Sequence, residues 1–266
     1  MTERPHERIH ERPHELDECM DRLERALQVS PRDNAHRKLV HVHIPKTAGM
    51  AFSNVLKSRI GSNKHLRWDE GAAHWKELTA ERRVPRFTTG HIRMHEVFYS
   101  RDLTLMPINL VTIVRKPIDR VVSNYNYGRS ERHPNSDAFS ERFGSLTDYV
   151  EKMTENGNFQ SRWVSLNYRH PSIFFDILGR FHMGIAPLER IEDYAAALQR
   201  VMAPGRPHPM DRINELGTMA EGRRKATLDE VPSELLARFE EANALDTRLY
   251  EAAGEAWERR AGNLVA

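Results

Sequence analysis

Apolar and polar residues recur along the chain with two different periods, and these periods predict strands followed by helices. A short β-branched run at residues 39–43 predicts a first strand, and apolar residues recur at helical spacing from Phe52 onward. The continuous apolar run at residues 109–114 is typical of a strand buried on both faces of a parallel sheet. Pro117 is suited to the first turn of a helix that continues to Tyr127.

The later segments predict shorter strands and further helices. Residues 86–91 are typical of a short strand that ends in a turn, residues 181–185 of a third or fourth strand, and residues 191–201 of a helix. Residues 61–86 are expected to be irregular with one helix, and residues 203–232 to form a long loop before a strongly helical end. Strands that alternate with helices favour an α/β fold, a three-layer sandwich around a central parallel sheet.

The N-terminal segment, residues 1–37, is predicted to be a polar tail with one short helix, followed by one domain over residues 38–266. The tail contains a near-repeat that places histidines at His6, His10 and His14. This pattern has two interpretations, a metal-binding tract or a disordered tail. The prolines that interrupt the repeat favour the disordered tail.

Overall charge excludes a protein that coats nucleic acid, because 40 Lys and Arg residues are nearly balanced by 38 Asp and Glu residues. Any anion site must therefore be local. The single cysteine, Cys19, excludes an intramolecular disulfide and a cysteine-based zinc site, and it favours the reducing cytoplasm. No apolar run approaches the roughly 18 residues that a membrane span needs. The N-terminus also lacks the apolar region of a signal peptide, so we expect a cytoplasmic protein.

The segment with the clearest chemistry is residues 45–49, here called the anion loop, which joins the first strand to the first helix. Backbone N–H groups at a helix start attract an anion, and Lys46 adds a cation. The segment is not a Walker A loop, because its lysine precedes Gly49, and Met50 and Ala51 stand where a metal-binding hydroxyl is needed. We therefore predict an anion site that requires no metal.

A second constellation follows the buried strand at residues 109–114. Arg115 ends this strand, and Ser123 lies about two turns into the next helix, so a guanidinium and a hydroxyl can clamp a phosphate there. Asp119 and Arg120 lie between them, and we interpret these two as ion-pairing residues on a solvated helix face.

Three of the candidate residues each follow a predicted strand. Ligands of parallel α/β sheets bind at the carboxyl ends of the strands, where Lys46, His91 and Arg115 would all lie. An imidazole such as that of His91 titrates near neutral pH and is suited to proton transfer. His41 and His43 belong to the first strand, and we expect them to face opposite sides and to serve in packing.

Taken together, the two constellations resemble the sulfotransferases that use 3′-phosphoadenosine 5′-phosphosulfate (PAPS), and in particular the carbohydrate and heparan-sulfate uronyl 2-O-sulfotransferase-like group. His-Ile-Pro-Lys-Thr-Ala-Gly at residues 43–49 is similar to the loop that holds the 5′-phosphosulfate in that family. Arg115, Pro117, Arg120 and Ser123 match its Arg-x-Pro-x-x-Arg-x-x-Ser segment, which holds the 3′-phosphate. Weaker similarities include Asn158-x-Gln160-x-Arg162, Gly184-x-x-x-x-Glu189 and Asp246-x-x-Leu-Tyr250.

This resemblance implies a P-loop NTPase-like sulfotransferase fold over residues 38–266 and transfer of a sulfuryl group from PAPS to a hydroxyl of a glycan or small molecule. The product is adenosine 3′,5′-bisphosphate (PAP), and no metal, nucleic acid or membrane span is implied. Lys46 would stabilise the leaving phosphate, and His91 would be the base, with His95 in reserve. The cofactor-binding residues implied are Lys46, Thr47, Ala48, Gly49, Met50, Ala51, Arg115, Ser123 and, from a Gly-basic loop, Arg223. The segment at residues 221–225 has a second interpretation, a solvated run of charges.

One departure from the family pattern leaves alternatives open. Hydroxyl side chains are usual where this chain has Met50 and Ala51, so up to two hydrogen bonds to the cofactor are lost. A catalytically silent PAP-binding homologue is therefore one alternative. A P-loop nucleotide kinase is another, although it needs a metal-holding hydroxyl after the lysine and an acidic residue at the end of a core strand. The strand before Arg115 ends in a cation instead.

Overall fold

The computed structural model describes residues 38–61, 63–66, 71–98, 108–165, 183–203, 205–210, 219 and 222–264. The predicted tail at residues 1–37 lies outside these ranges. The strands are β1 (Lys38–Val42), β2 (Asn63–Leu66), β3 (Phe87–Gly90), β4 (Ile108–Val114) and β5 (Met183–Pro187). The helices are α1 (Gly49–Arg59), α2 (Gly71–Ala80), α3 (Met94–Phe98), α4 (Pro117–Gly128), α5 (Ser136–Arg142), α6 (Leu146–Glu155), α7 (Phe159–Val164), α8 (Ile191–Met202), α9 (Ser233–Ala242) and α10 (Ala244–Leu264).

All five strands pair in parallel, in the spatial order β2-β3-β1-β4-β5. The two central strands read as apolar runs because helices cover both faces of the sheet. On one face the core joins Phe52 and Leu56 of α1 to Leu198 of α8. On the other face it joins Trp75 of α2 to Leu249 of α10. The predicted three-layer α/β sandwich with a central parallel sheet is confirmed.

A third apolar cluster lies outside the sheet and fixes the helix that follows β4. It joins Ile118 and Tyr125 of α4 to Tyr149 of α6 and to Leu235 and Phe239 of α9. Pro117 occupies the first turn of α4, as predicted from its missing N–H group. The start of α4 is thereby held beside the carboxyl end of β4, where the phosphate clamp was predicted.

Several boundaries differ from the sequence-based prediction, each for a local physical reason. Residues 61–86 contain the short strand β2 as well as a helix. The sequence did not predict β2, because Asn63 and Lys64 are exposed at a sheet edge and the segment shows no apolar period. The predicted strand at residues 181–185 is β5, which begins at Met183 within the described residues and is fifth in chain order. The helical end is divided into α9 and α10 at Asn243, whose side-chain amide hydrogen-bonds the carbonyl of Phe239 at 2.9 Å.

Candidate functional site

The anion loop has an unusual backbone conformation. Lys46 and Ala48 both adopt left-handed conformations, with φ angles of 69° and 55°. The Thr47 hydroxyl donates to the Ile44 carbonyl at 2.9 Å and ties the loop to the end of β1. Non-glycine residues adopt the left-handed conformation at an energetic cost, and residues that do so cluster at functional sites. Turns that contain left-handed residues can also point successive backbone N–H groups into a concavity that binds an anion.

Helix α1 begins directly after this loop and adds further donors. Ala48 is the N-cap, and the first helical hydrogen bond runs from the Phe52 N–H to the Ala48 carbonyl at 3.2 Å. The N–H groups of Gly49, Met50 and Ala51 precede that bond and are oriented out of the helix start. The Met50 side chain is 39% exposed, whereas Ala51 is only 4% exposed. Both residues therefore present backbone donors to this site, without a side-chain hydroxyl.

Gly49 is required by close packing against a histidine ring. A Cβ atom at this position would lie 2.0 Å from Cδ2 of His43, far inside contact distance. The imidazole of His43 thus packs directly beneath the turn that presents the loop N–H groups. His43 and Gly49 together set how closely the anion loop approaches the end of β1.

Lys46 and Arg115 converge at the carboxyl ends of β1 and β4. The Nη1 group of Arg115 donates to the Lys46 carbonyl at 3.4 Å, and Lys46 Nζ lies 4.0 Å from the centroid of the Tyr127 ring. Burial, followed by repulsion from Arg115 and Arg132, lowers the pKa of Lys46 to about 8. Neighbouring cations that disfavour the charge of Lys46 provide a favourable site for a multiply charged anion.

Arg115 is positioned by a buried glutamine from another helix. Gln160 of α7 is fully buried, and its side-chain amide accepts from the Arg115 N–H at 2.9 Å and donates to the Arg115 carbonyl at 2.7 Å. Burial lowers the pKa of the Arg115 guanidinium, and Asp119 and Glu189 oppose that shift. Ser123 lies two turns along α4 on a half-buried position.

His91 follows β3 and has a defined tautomer. Its Nδ1 atom lies 3.0 Å from the His43 carbonyl, which can only accept, so Nδ1 carries the proton and Nε2 carries the lone pair. The ring stacks on His43 at 4.4 Å and meets Trp163 edge-on at 6.0 Å. Burial lowers the pKa of His91, and the hydrogen bond to the His43 carbonyl partly opposes this shift. A neutral imidazole of this tautomer is suited to accept a proton at Nε2.

The expectation that His41 and His43 face opposite sides is wrong. Their rings stack at 5.4 Å, because side chains two residues apart along a strand direction point to the same face. The Nδ1 atom of His41 lies 3.1 Å from the Ser53 hydroxyl and 2.9 Å from the Thr89 hydroxyl. Burial lowers the pKa of His41 to about 3, so its ring is neutral and packs as part of the core.

The interpretation of Arg120 as a solvated residue is also wrong. Arg120 is only 4% exposed, and its guanidinium lies 4.1 Å from the centroid of the Phe159 ring. Burial lowers its pKa, and the buried carboxylate of Asp246 opposes that shift. Helix α4 turns this residue inward, toward α7 and α10, and Asp119 is half-buried beside it.

Arg223 and His95 are the two remaining residues that the sequence predicted for this site. Arg223 pairs with Asp137 at 2.5 Å and donates to the Ser136 carbonyl at 3.1 Å, at the start of α5. His95 lies in α3 and is half-buried, and burial lowers its pKa. Neither position tests the role that the sequence suggested, so both assignments stay predictions.

The sequence analysis assigned no role to three residues that shape this site. Tyr127 lies one turn beyond Ser123 on α4 and supports Lys46, which an i, i+4 reading of the helix could have indicated. Gln160 and Asp246 belong to the weaker motif similarities, but their roles depend on contacts between distant helices. Asp246 accepts from the N–H groups of Gln160 at 2.8 Å and Ser161 at 2.7 Å, and so anchors the start of α7.

Comparison with known proteins places the chain among characterised families. A family profile described as "Sulfotransferase family" matches residues 32–251. The crystal structure of the mouse sulfotransferase SULT7A1 in complex with PAP matches at 14% identity and a TM-score of 0.47, covering 84% of this chain and 89% of that one. A search of curated proteins found no match.

The described residues show neither a cluster of metal ligands nor a membrane-spanning helix. They contain no group of three or more His, Cys, Asp or Glu side chains arranged to hold a metal ion. Among the helices within these ranges, none has the length and apolar character needed to cross a membrane.

Proposed function

This chain belongs to the sulfotransferase family, and we propose that it transfers a sulfuryl group from PAPS to a hydroxyl of a glycan or small-molecule acceptor, releasing PAP. The observation that carries the proposal is the convergence of Lys46 and Arg115 beside the anion loop, with His91 at the end of the adjoining strand. A loop that concentrates N–H donors and cations at the carboxyl end of a parallel sheet suits a ligand with several negative charges.

The residues of the anion loop fit the 5′-phosphosulfate of PAPS. Backbone N–H groups from Lys46 to Ala51 would hold its oxygens, and Gly49 lets the loop pack on the His43 ring, which any Cβ at this position would strike. Lys46 would lie beside the bridging oxygen. Burial, and after it repulsion from Arg115 and Arg132, disfavours the charged form of Lys46 and lowers its pKa, and an anion beside Lys46 would favour that charged form.

The 3′-phosphate would be held at the start of α4. The guanidinium of Arg115 matches phosphate geometry with two parallel hydrogen bonds, and Ser123 would add a hydroxyl. The hydrogen bonds of Gln160 to the Arg115 backbone keep this residue in place. We retain Arg223 as a further phosphate contact, which would require it to exchange its pairing with Asp137.

The mechanism follows from the chemistry of these side chains. PAPS, when bound, supplies a sulfuryl group joined to a phosphate leaving group. His91 Nε2 takes the proton from the acceptor hydroxyl as the acceptor oxygen bonds to sulfur and the bond from sulfur to the 5′-phosphate oxygen breaks. Lys46 stabilises the charge that remains on that departing oxygen. The His43 carbonyl holds the Nδ1–H of His91 and supports the ring as it gains a proton.

A catalytically silent PAP-binding homologue is the second candidate function. It is favoured by one observation, the absence of side-chain hydroxyls at Met50 and Ala51, at the start of α1. Backbone donors are sufficient to bind PAP, but fewer hydrogen bonds to the sulfonate would stabilise the transition state less. The absence of these hydroxyls also argues against a nucleotide kinase, because the metal ion of a kinase needs a hydroxyl ligand at this position.

Turnover and binding measured together test the proposal. We expect the protein to release PAP from PAPS in the presence of a hydroxyl acceptor without added magnesium, and to bind PAP by calorimetry. Binding of PAP without turnover across an acceptor panel would favour the silent homologue. Absence of PAP binding would overturn both functions.

A further inference from the structure

The His43 ring lies between the anion loop and the proposed base. It stacks on the ring of His91, with 4.4 Å between the ring centroids and 23° between the ring planes. Its Cδ2 atom faces Gly49 so closely that a Cβ atom at Gly49 would lie 2.0 Å away. Only 4% of His43 is exposed, so the atoms packed around the side chain hold it in place. One side chain therefore contacts both parts of the candidate site.

The backbone of His43 fixes only one point of the His91 ring. The His43 N–H donates to the Gly90 carbonyl at 3.0 Å, which aligns the end of β1 with the residue before His91. The His43 carbonyl accepts from Nδ1 of His91 at 3.0 Å. A hydrogen bond at one ring atom sets a distance but lets the ring tilt about that atom. Contact between the two ring faces restricts this tilt, so the His43 side chain helps to set the position of Nε2 of His91.

Packing alone does not account for a histidine at this position. The buried Nδ1 atom of His43 has no hydrogen-bond partner among the described residues, a cost that an aliphatic side chain of similar size would avoid. The histidine instead supplies a flat face for His91 and a thin edge against Gly49. Burial, and after it repulsion from neighbouring imidazoles and Lys46, lowers the pKa of His43 well below its usual range. Its ring is therefore neutral and does not oppose the positive charge that His91 would gain as a base.

We propose that His43 is a positioning residue whose ring holds the base His91 at a fixed place relative to the anion loop. This inference rests on the proposed function, in which His91 receives the proton of the acceptor hydroxyl. The ring would act through His91, since it links the base to the loop that would hold the sulfuryl donor. A displacement of about 1 Å between a base and a reacting group can lower a rate by about 10²-fold, so a single buried ring is sufficient to matter.

Crystal structures of the full chain test this role without a turnover measurement. His43→Leu keeps a side chain of similar size but removes the flat ring, and His43→Ala removes the ring without adding bulk near Gly49. In either variant we expect the distance between His91 Nε2 and the Gly49 N atom to change by about 1 Å or more. His41→Leu is the matched control, because His41 is also a buried histidine and its ring stacks on His43 at 5.4 Å. An unmoved His91 in the His43 variants, or an equal displacement in His41→Leu, overturns the proposal.

Kinetics in combination with His91→Ala separate positioning from a general structural loss. With PAPS and p-nitrophenyl β-D-glucoside as the hydroxyl probe, His43→Leu should lower kcat about 10- to 100-fold and change the PAP affinity less than about 3-fold. In the His91→Ala background the same substitution should change kcat less than about 2-fold, because no base remains to be positioned. An equal fold loss of kcat in both backgrounds would give His43 a purely structural role and overturn the proposal.

The two proposals fail in different ways. If PAPS is turned over and the His43 variants change neither kcat nor the position of His91, the positioning role fails and sulfotransfer stands. If PAP does not bind and PAPS is not turned over, the proposed function fails, whereas a displaced His91 in the crystals still shows that the His43 ring holds this side chain against the anion loop. If the glucoside alone is not an acceptor, the crystal structures decide the positioning role.

Discussion

The anion loop and Arg115 at the end of β4 both supply positive charge to the candidate site, but they are positioned in opposite ways. The anion loop uses backbone N–H groups and one lysine from a few consecutive residues, held in left-handed conformations at Lys46 and Ala48. Arg115 instead depends on other elements, because Gln160 of α7 hydrogen-bonds its backbone and Asp246 of α10 anchors the start of α7. The anion loop is therefore set by a contiguous stretch of sequence, whereas Arg115 is set by contacts between distant elements.

The largest expected effect is at His91, which stacks on the His43 ring beneath the anion loop. His91→Ala should lower kcat about 10²- to 10⁴-fold, as is usual for loss of a general base, with PAP affinity unchanged by calorimetry. Unchanged turnover would show that His91 is not the base, and His95 would then be the candidate. Burial lowers the pKa of His91, so the base stays neutral to a lower pH than an ordinary histidine. The acidic limb of kcat/KM should therefore fall below pH 6.5.

The second prediction breaks the anion loop through its packing. Gly49→Ala should lower the free energy of unfolding by about 1–3 kcal/mol, because its Cβ would overlap the His43 ring. Chemical denaturation measures this, and calorimetry should show weakened PAP binding in the same variant. Gly61→Ala is the matched control, since a Cβ at Gly61 meets no atom within 4 Å. Equal stability of the two variants would contradict the close packing of His43 against the loop.

The third prediction tests whether Arg115 contacts the 3′-phosphate of the nucleotide. Arg115→Ala should weaken PAP about 10- to 100-fold, the usual cost of a charge-assisted contact, and should weaken adenosine 5′-phosphate much less. Lys116→Ala removes an exposed neighbouring cation and controls for loss of charge alone. Equal losses of affinity for the two nucleotides in Arg115→Ala would show that Arg115 does not contact the 3′-phosphate.

The fourth prediction concerns the pH dependence of the anion loop. Lys46 has a pKa of about 8 in the folded protein, against 10.5 ordinarily, so it loses its charge first as the pH rises above 8. PAP affinity should fall over that range, and binding near pH 8 should take up protons, which calorimetry in buffers of different ionisation enthalpy detects. Between pH 8 and 10.5 the unfolded chain binds more protons, so Lys46 makes nucleotide-free stability rise with pH. The variant Lys46→Met should lose both dependences.

The smallest expected effect concerns the missing hydroxyls. Met50→Ser should strengthen PAPS binding by less than about 10-fold, since it adds one hydrogen bond to a charged group at an exposed position. Ala51→Ser is the paired control, and we expect no gain because its side chain is buried against the core. An equal gain in both variants would contradict the orientation of these two side chains.

Sequence alone was sufficient for the elements whose signals are local. The run that becomes β4, the proline that begins α4, and the loop that precedes α1 each carry their pattern within about ten residues, so they could be placed together with Lys46 and Arg115. The sulfotransferase resemblance rested on the same segments and is confirmed by the family match. Strand β2 was missed because its exposed residues, including Lys64, carry no period that marks a strand.

The arrangement around these elements depended on folding. The burial of Arg120, the support of Arg115 by Gln160, and the tautomer of His91 all arise from residues more than 40 positions apart or from separate helices. A linear pattern reports the period and type of neighbouring residues, but it does not report which distant groups will share a low-dielectric space. Local backbone geometry thus defined the anion loop, and the packing of helices against the sheet positioned Arg115 and buried Arg120.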